Sequence, residues 1–282
     1  MYDVCKKHAL AGNAVIPVLF FATLIGSLPF LLVCAGNWLF PTMLPPSTVL
    51  HPLSPIAHAQ ILLKGFIVAS SWTFAFFALK HLPISIVAPI RSSAPMWTLL
   101  GALILFDEKL RELQWLGVML TFGGYYSLAI TGRKENIHFT RNRWIVFAGL
   151  ATLLGAVSAL YDKFLLVRYP PLTMQTWFYV YLVLLLGGVF LVGWLPKRAQ
   201  ITPFKWRWSI PCVGLLLAMA DFVYFQAVAS PGSLISLISI VRRTSVVVAF
   251  LVGGHVFREL YRKEKMAGLL AILGGVVLIA LG

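Results

Sequence analysis

The chain has 282 residues, of which 60% are hydrophobic and 11% charged, and a net charge of +14. Soluble domains carry about 25% charged residues, so this chain lacks the polar groups to cover a water-facing surface. The positive charge does not point to nucleic acid either. Most Lys and Arg fall in short segments between apolar runs, which is the pattern of membrane spans and their loops.

Apolar runs of ~20 residues suffice to cross ~30 Å of hydrocarbon as helices. Nine spans are predicted, at roughly 14–35, 59–79, 83–106, 113–131, 144–167, 172–195, 208–229, 232–257 and 264–281. Lys6 and Lys7 precede the first, but the run from Ala14 to Cys34 exceeds the ~7–15 residues of a signal-peptide core. It is read as a retained span. The segment Ala35–His58 holds Pro41, Pro45, Pro46, Pro52 and Pro55 and no charge. It cannot be one straight helix, and reads as an interfacial loop with Trp38 at headgroup depth or a substrate vestibule. Pro83 and Gly232 are expected to start helices after short turns. Cys5, Cys34 and Cys212 are far apart and odd in number, which supports neither a disulfide framework nor a metal site.

The stretch Arg91–Gly124 recurs with its numbers raised by 151: Arg91 falls on Arg242, Phe106 on Phe257, Glu108 on Glu259, Gly117 on Gly268, and Gly123-Gly124 on Gly274-Gly275. The chain is therefore read as a duplication, with residues 1–131 the first repeat, 132–143 a basic linker and 144–282 the second repeat. Tyr2-Asp3 precede the span at 14–35 as Tyr161-Asp162 precede that at 172–195. The first repeat thus shows four helices where the second shows five, and a helix upstream of Met1 is expected to be missing. Equivalent helices lie five spans apart, an odd number, so they cross in opposite directions as inverted repeats. The expected fold class is an all-α polytopic membrane protein built from two such repeats.

Lys and Arg are divided unevenly between alternate loops. One side holds Lys6, Lys7, Lys80, Arg133, Lys134, Arg141, Arg143, Lys197, Arg198, Lys205, Arg207, Arg258, Arg262, Lys263 and Lys265. The other holds Lys109, Arg111, Lys163 and Arg168. The positive-inside rule makes the first side cytoplasmic, with the N-terminus inside and the C-terminus outside.

Several segments together resemble the drug/metabolite transporter superfamily, in its ten-helix form of two EamA repeats. They are Ala78-Leu79-Lys80-His81-Leu82-Pro83, Arg91-Ser92-Ser93-Ala94-Pro95, Phe106-Asp107-Glu108-Lys109-Leu110 and Gln114-Trp115-Leu116-Gly117-Val118. Arg242-Arg243-Thr244-Ser245 and Phe257-Arg258-Glu259-Leu260 supply the second copy. The resemblance spans nearly the whole chain. It implies a first helix lining a central cavity and both termini in the cytoplasm, and the chain departs from both expectations.

Charged groups at bilayer depth default to functional hypotheses. Lys64 is placed near a helix end, where it would snorkel. Arg91 and Arg242 are placed near the midplane, and as repeat equivalents they would meet at the central axis. With Arg243 they are candidates to bind an anionic group such as carboxylate or phosphate, for which guanidinium suits. The alternative is internal pairing, above all with Asp221, read as the only acid plainly at depth. Asp221 is then either a strut or a proton-coupling group. Glu108 and Glu259 either complement the dipole of the following helix, pair with Lys109, Arg258 or Arg262, or act as gates. Ser93 and Thr244 lie beside the arginines, and Trp72, Trp97 and Tyr224 are aromatic candidates for the cavity wall. The glycine pairs are expected to allow close helix packing.

The leading expectation is a secondary transporter, by the resemblance an exporter, moving a small organic metabolite across the cell (inner) membrane by alternating access. The alternatives are a lipid-linked substrate flippase and a non-transporting scaffold. No HExxH or GxSxG is present, so no enzyme, cofactor or metal is expected. The expected partners are a small-molecule substrate and the lipid bilayer, not nucleic acid; monomer and homodimer both stay open.

Overall fold

A computed structural model describes residues 2–40, 45, 48–82, 87, 90–91, 93–133, 142–243 and 262–281. Among the described residues lie ten α-helices and no strand. The first half has α1 (Tyr2–Leu10), α2 (Val15–Leu39), α3 (Pro55–His81), α4 (Ala94–Leu105) and α5 (Glu112–Arg133). The second has α6 (Arg143–Leu166), α7 (Pro171–Gly188), α8 (Ser209–Ala229), α9 (Ile235–Arg243) and α10 (Arg262–Leu281). A π turn at Val189–Trp194 and a 3-10 turn at Leu195–Lys197 prolong α7. Five helices, α2, α3, α6, α8 and α7 with its extension, are long and apolar enough to cross a membrane. The chain is a multi-pass membrane protein.

Several expected boundaries move, each for a local reason. Helix α3 starts at Pro55 because the Ser54 hydroxyl accepts the Ala57 N–H at 3.2 Å, and proline at the first helical position loses no bond. The interfacial loop is correspondingly shorter. Trp38 belongs to the last turn of α2 and is 83% exposed, while Asn37 ties the loop down by bonding the Thr48 carbonyl and the Leu50 N–H. The span expected at 83–106 is not one continuous helix, since α4 begins only at Ala94. Pro95 has no N–H for the Arg91 carbonyl, and its ring would clash there. Ser93 makes a turn instead, its N–H bonding the Ile90 carbonyl at 3.2 Å. Gly232 does not start a helix; it takes a left-handed φ of +72° in the turn before α9. Pro83 and the remainder of the span expected at 232–257 lie outside the described residues.

Helices α5 and α10 are the copies related by the duplication, and they pack on each other. A Cβ on Gly117 would meet the Gly275 carbonyl oxygen at 2.6 Å, and one on Gly124 would meet that of Gly268 at 2.7 Å. Only glycine permits such backbone approach. The contacts run in opposite directions along the two helices, so the pair is antiparallel. Gly268 is the copy of Gly117 and Gly275 the copy of Gly124, so exchanging the halves maps one contact onto the other. Of the glycine pair at 123–124, Gly123 faces open space.

Several other helix contacts follow the same exchange. Helix α3 packs on α6 as α8 packs on α1, and α2 on α8 as α7 on α3. Helices α2 and α7, and likewise α4 and α9, meet their own equivalents. The halves are inverted about a twofold axis. Helix α1 takes against α8 the place that α6 takes against α3. Lys6, read as a loop residue, is therefore in a helix and 1% exposed.

Basic residues on the more positive side also fasten this frame. Lys7 Nζ donates to the carbonyls of Leu79 at 2.6 Å and Leu82 at 2.9 Å, satisfying orphan groups at the end of α3. Lys80 donates to Thr202, and Arg207 to the His8 carbonyl.

Candidate substrate cavity

A cavity of about 270 Å³ lies where α1, α3, α4, α6, α8 and α9 converge, lined by the middle of α3, α6 and α8. Its wall is unusually charged for a membrane interior. Lys6, Lys64 and Arg91 come from the first half, and Asp162, Asp221 and Arg242 from the second. Trp72, Phe178, Tyr224 and Phe225 supply aromatic surface between them.

Among the described residues, two ion pairs organise these charges. Lys64 of α3 pairs with Asp162 of α6, with side-chain exposures of only 2% and 5%. The Lys64 ammonium also lies 4.6 Å from the Phe178 ring centroid and 5.1 Å from that of Phe225. Cation–π attraction is strongest for such a desolvated charge. Arg242 of α9 pairs with Asp221 of α8 through Nη2. The second Asp221 oxygen accepts the Tyr179 hydroxyl at 3.2 Å. The guanidinium of Arg242 stacks on the Tyr224 ring with its carbon 4.2 Å from the centroid.

These observations correct two expectations. Lys64 does not snorkel: it lies in the tenth position of a 27-residue helix and is held by a carboxylate. Asp221 is not the only acid at depth, since Asp162 is 3% exposed and faces the same cavity.

The structure brings Arg91, Arg242, Asp221, Trp72 and Tyr224 together around this one cavity. Arg91 is carried by the residues just before α4, where Pro95 interrupts the span. Two candidates lie elsewhere. Trp97 is 42% exposed and does not line the cavity. Ser93 turns its hydroxyl to the Ile90 carbonyl at 2.7 Å, which serves the turn. Thr244 and Glu259 lie outside the described residues, as does the side chain of Arg243.

Glu108 does something the sequence did not disclose. By its place in the sequence it is expected to complement the dipole of the helix that follows it, pair with a nearby cation, or act as a gate. Instead its carboxylate accepts the backbone N–H of Ile235 at 2.7 Å and of Ser236 at 3.3 Å, together with the Ser236 hydroxyl. An acid from the first half thus caps the N-terminus of α9 in the second, where orphan N–H groups and the helix dipole favour negative charge.

Comparison with known proteins agrees with this architecture. Residues 1–130 match the model of the EamA-like transporter family. No curated protein sequence matches the chain. A solved structure, titled only as the crystal structure of a protein, is similar over 99% of this chain and 98% of its own, with a TM-score of 0.69 and 14% identity. At that identity the likeness speaks for the fold.

Proposed function

We propose that this chain, whose residues 1–130 match the EamA-like transporter family, is a secondary transporter of the drug/metabolite transporter type carrying a small organic metabolite across the cell (inner) membrane. The observation that carries this reading is the place of the cavity. It lies between two inverted halves, halfway along their helices, and both halves line it. Binding at the midplane between inverted repeats is what alternating access needs, because rocking one half against the other opens the same site to either side.

The charges fit such a path. Groups of this kind are costly in hydrocarbon and persist where they pair with each other or face a wetted cavity. Trp72 and Tyr224 offer surfaces for an organic body, and Arg91 and Arg242 polar handles. Export is the direction the family resemblance favours.

The test is flux. Purified protein in liposomes loaded with a labelled metabolite panel is expected to release at least one solute in a saturable way. Counterflow by the unlabelled solute is expected to accelerate it. Failure of every solute class to cross above protein-free liposomes overturns the transport reading and leaves a membrane scaffold.

A further inference from the structure

We infer that the cavity takes an organic anion, with its charged group seated against Arg242, Tyr224 and Ser239. The inference deepens the transport reading above and names the solute class.

It begins with donors that lack acceptors. Tyr224 is 5% exposed and lines the cavity, and its hydroxyl, beside Asp162, makes no well-formed hydrogen bond. Buried hydroxyls are almost always satisfied, so an unmatched one in a cavity wall marks where a bound molecule supplies the missing atom. The same ring carries the Arg242 guanidinium on its face. A guanidinium has five N–H donors in a planar fork. Among the described residues Arg242 uses Nη2 on Asp221, while 41% of its side chain stays exposed. Nη1 and Nε keep donors for a second acceptor, and the fork matches carboxylate or phosphate. Ser239 stands three residues before Arg242 on α9 and lines the same cavity, adding a hydroxyl beside them.

The acceptors are the reverse case. Asp221 already receives Arg242 on one oxygen and Tyr179 on the other, and Asp162 is held by Lys64. A cationic solute finds both carboxylates already paired with a protein cation. An anion meets donors already in place, and its apolar body meets Trp72, Phe178 and Phe225.

Four probes with one aromatic body separate the possibilities: benzoate, phenyl phosphate, benzylamine and benzyl alcohol. Each is titrated into the purified protein with thermal stability and tryptophan fluorescence as readouts. Benzoate or phenyl phosphate is expected to bind saturably, and which of them binds tells carboxylate from phosphate; the amine and the alcohol are not. Tyr224→Phe keeps the ring under Arg242 and removes only the hydroxyl. It is expected to leave the ligand-free melting temperature unchanged and to weaken anion binding roughly tenfold to a hundredfold, as for a hydrogen bond to a charged group. The double variant Arg242→Gln with Asp221→Asn removes both charges without stranding either, and is expected to abolish anion binding.

Preference for benzylamine or benzyl alcohol, no response to either anion at millimolar concentration, or Tyr224→Phe binding the anion as wild type does would each overturn the inference. The two readings fail separately. Flux of neutral or cationic solutes alone leaves the transporter and removes the anion site, whereas anion binding without flux of any solute leaves the site and removes the transporter.

Discussion

The two ion pairs of the cavity use the same chemistry for different ends. Lys64–Asp162 joins the halves, from α3 to α6, and both side chains are almost wholly shut away. Arg242–Asp221 lies within the second half, from α9 to α8, and its cation stays 41% exposed. The first pair is enclosed, its cation covered further by the Phe178 and Phe225 rings. Its attraction is unscreened, so it clamps one half to the other at the depth of the cavity. The second pair spends one side of a guanidinium on its carboxylate and presents the rest. A charge shut between moving parts thus holds them, and a charge left half-open can bind.

This comparison can be broken in graded steps. The largest effect is expected from Asp162→Asn, which strands a buried ammonium; removing one partner of such a pair costs about 3–5 kcal/mol. The purified protein should show it as a large fall in melting temperature, and a negligible fall would mean that the pair is no clamp. Lys64→Met combined with Asp162→Leu should recover most of that loss, because buried ion pairs are often replaced by apolar groups at little cost. A double variant as unstable as Asp162→Asn would assign the stability to packing instead. Arg242→Gln comes next, at ~1–3 kcal/mol, since among the described residues Asp221 then keeps only the Tyr179 hydroxyl as a hydrogen-bond donor. If it costs as much as Asp162→Asn, the contrast between closed and open pairs is lost. Tyr179→Phe should be mildest, at ~1 kcal/mol for one hydrogen bond. Chemical denaturation of the reconstituted protein can resolve it from wild type.

Much of the fold could be read from residue spacing. Gly117 and Gly124 stand seven residues apart, as do Gly268 and Gly275, which is about two helical turns and therefore one face. Their recurrence announced both the duplication and the closest helix crossing. Arg91 and Arg242 were legible because each interrupts a long apolar run. Hydropathy alone starts this helix at 59 and so puts Lys64 near its end; the Ser54–Pro55 start, four residues earlier, moves the lysine inward. Asp162 is legible as a landmark of the repeat, but no local pattern marks it as a buried acid. Lys6 precedes any apolar run, so hydropathy left it in a loop; only the packing of α1 on α8 buries it. The partners of Glu108 lie 127 and 128 residues away, a distance no local pattern spans.

The glycine seam between α5 and α10 is a palindrome written in three dimensions. Read from either end it gives the same contacts, Gly117 on Gly275 and then Gly268 on Gly124. One shape therefore has to be spelled twice in the chain, and neither spelling can change alone. A bulky side chain at 117 alters one end of the seam and leaves the other intact, making lopsided what was balanced. The two copies are free to diverge around the cavity, where one half supplies Lys64 and the other Asp162, because along this line they are held to the same text.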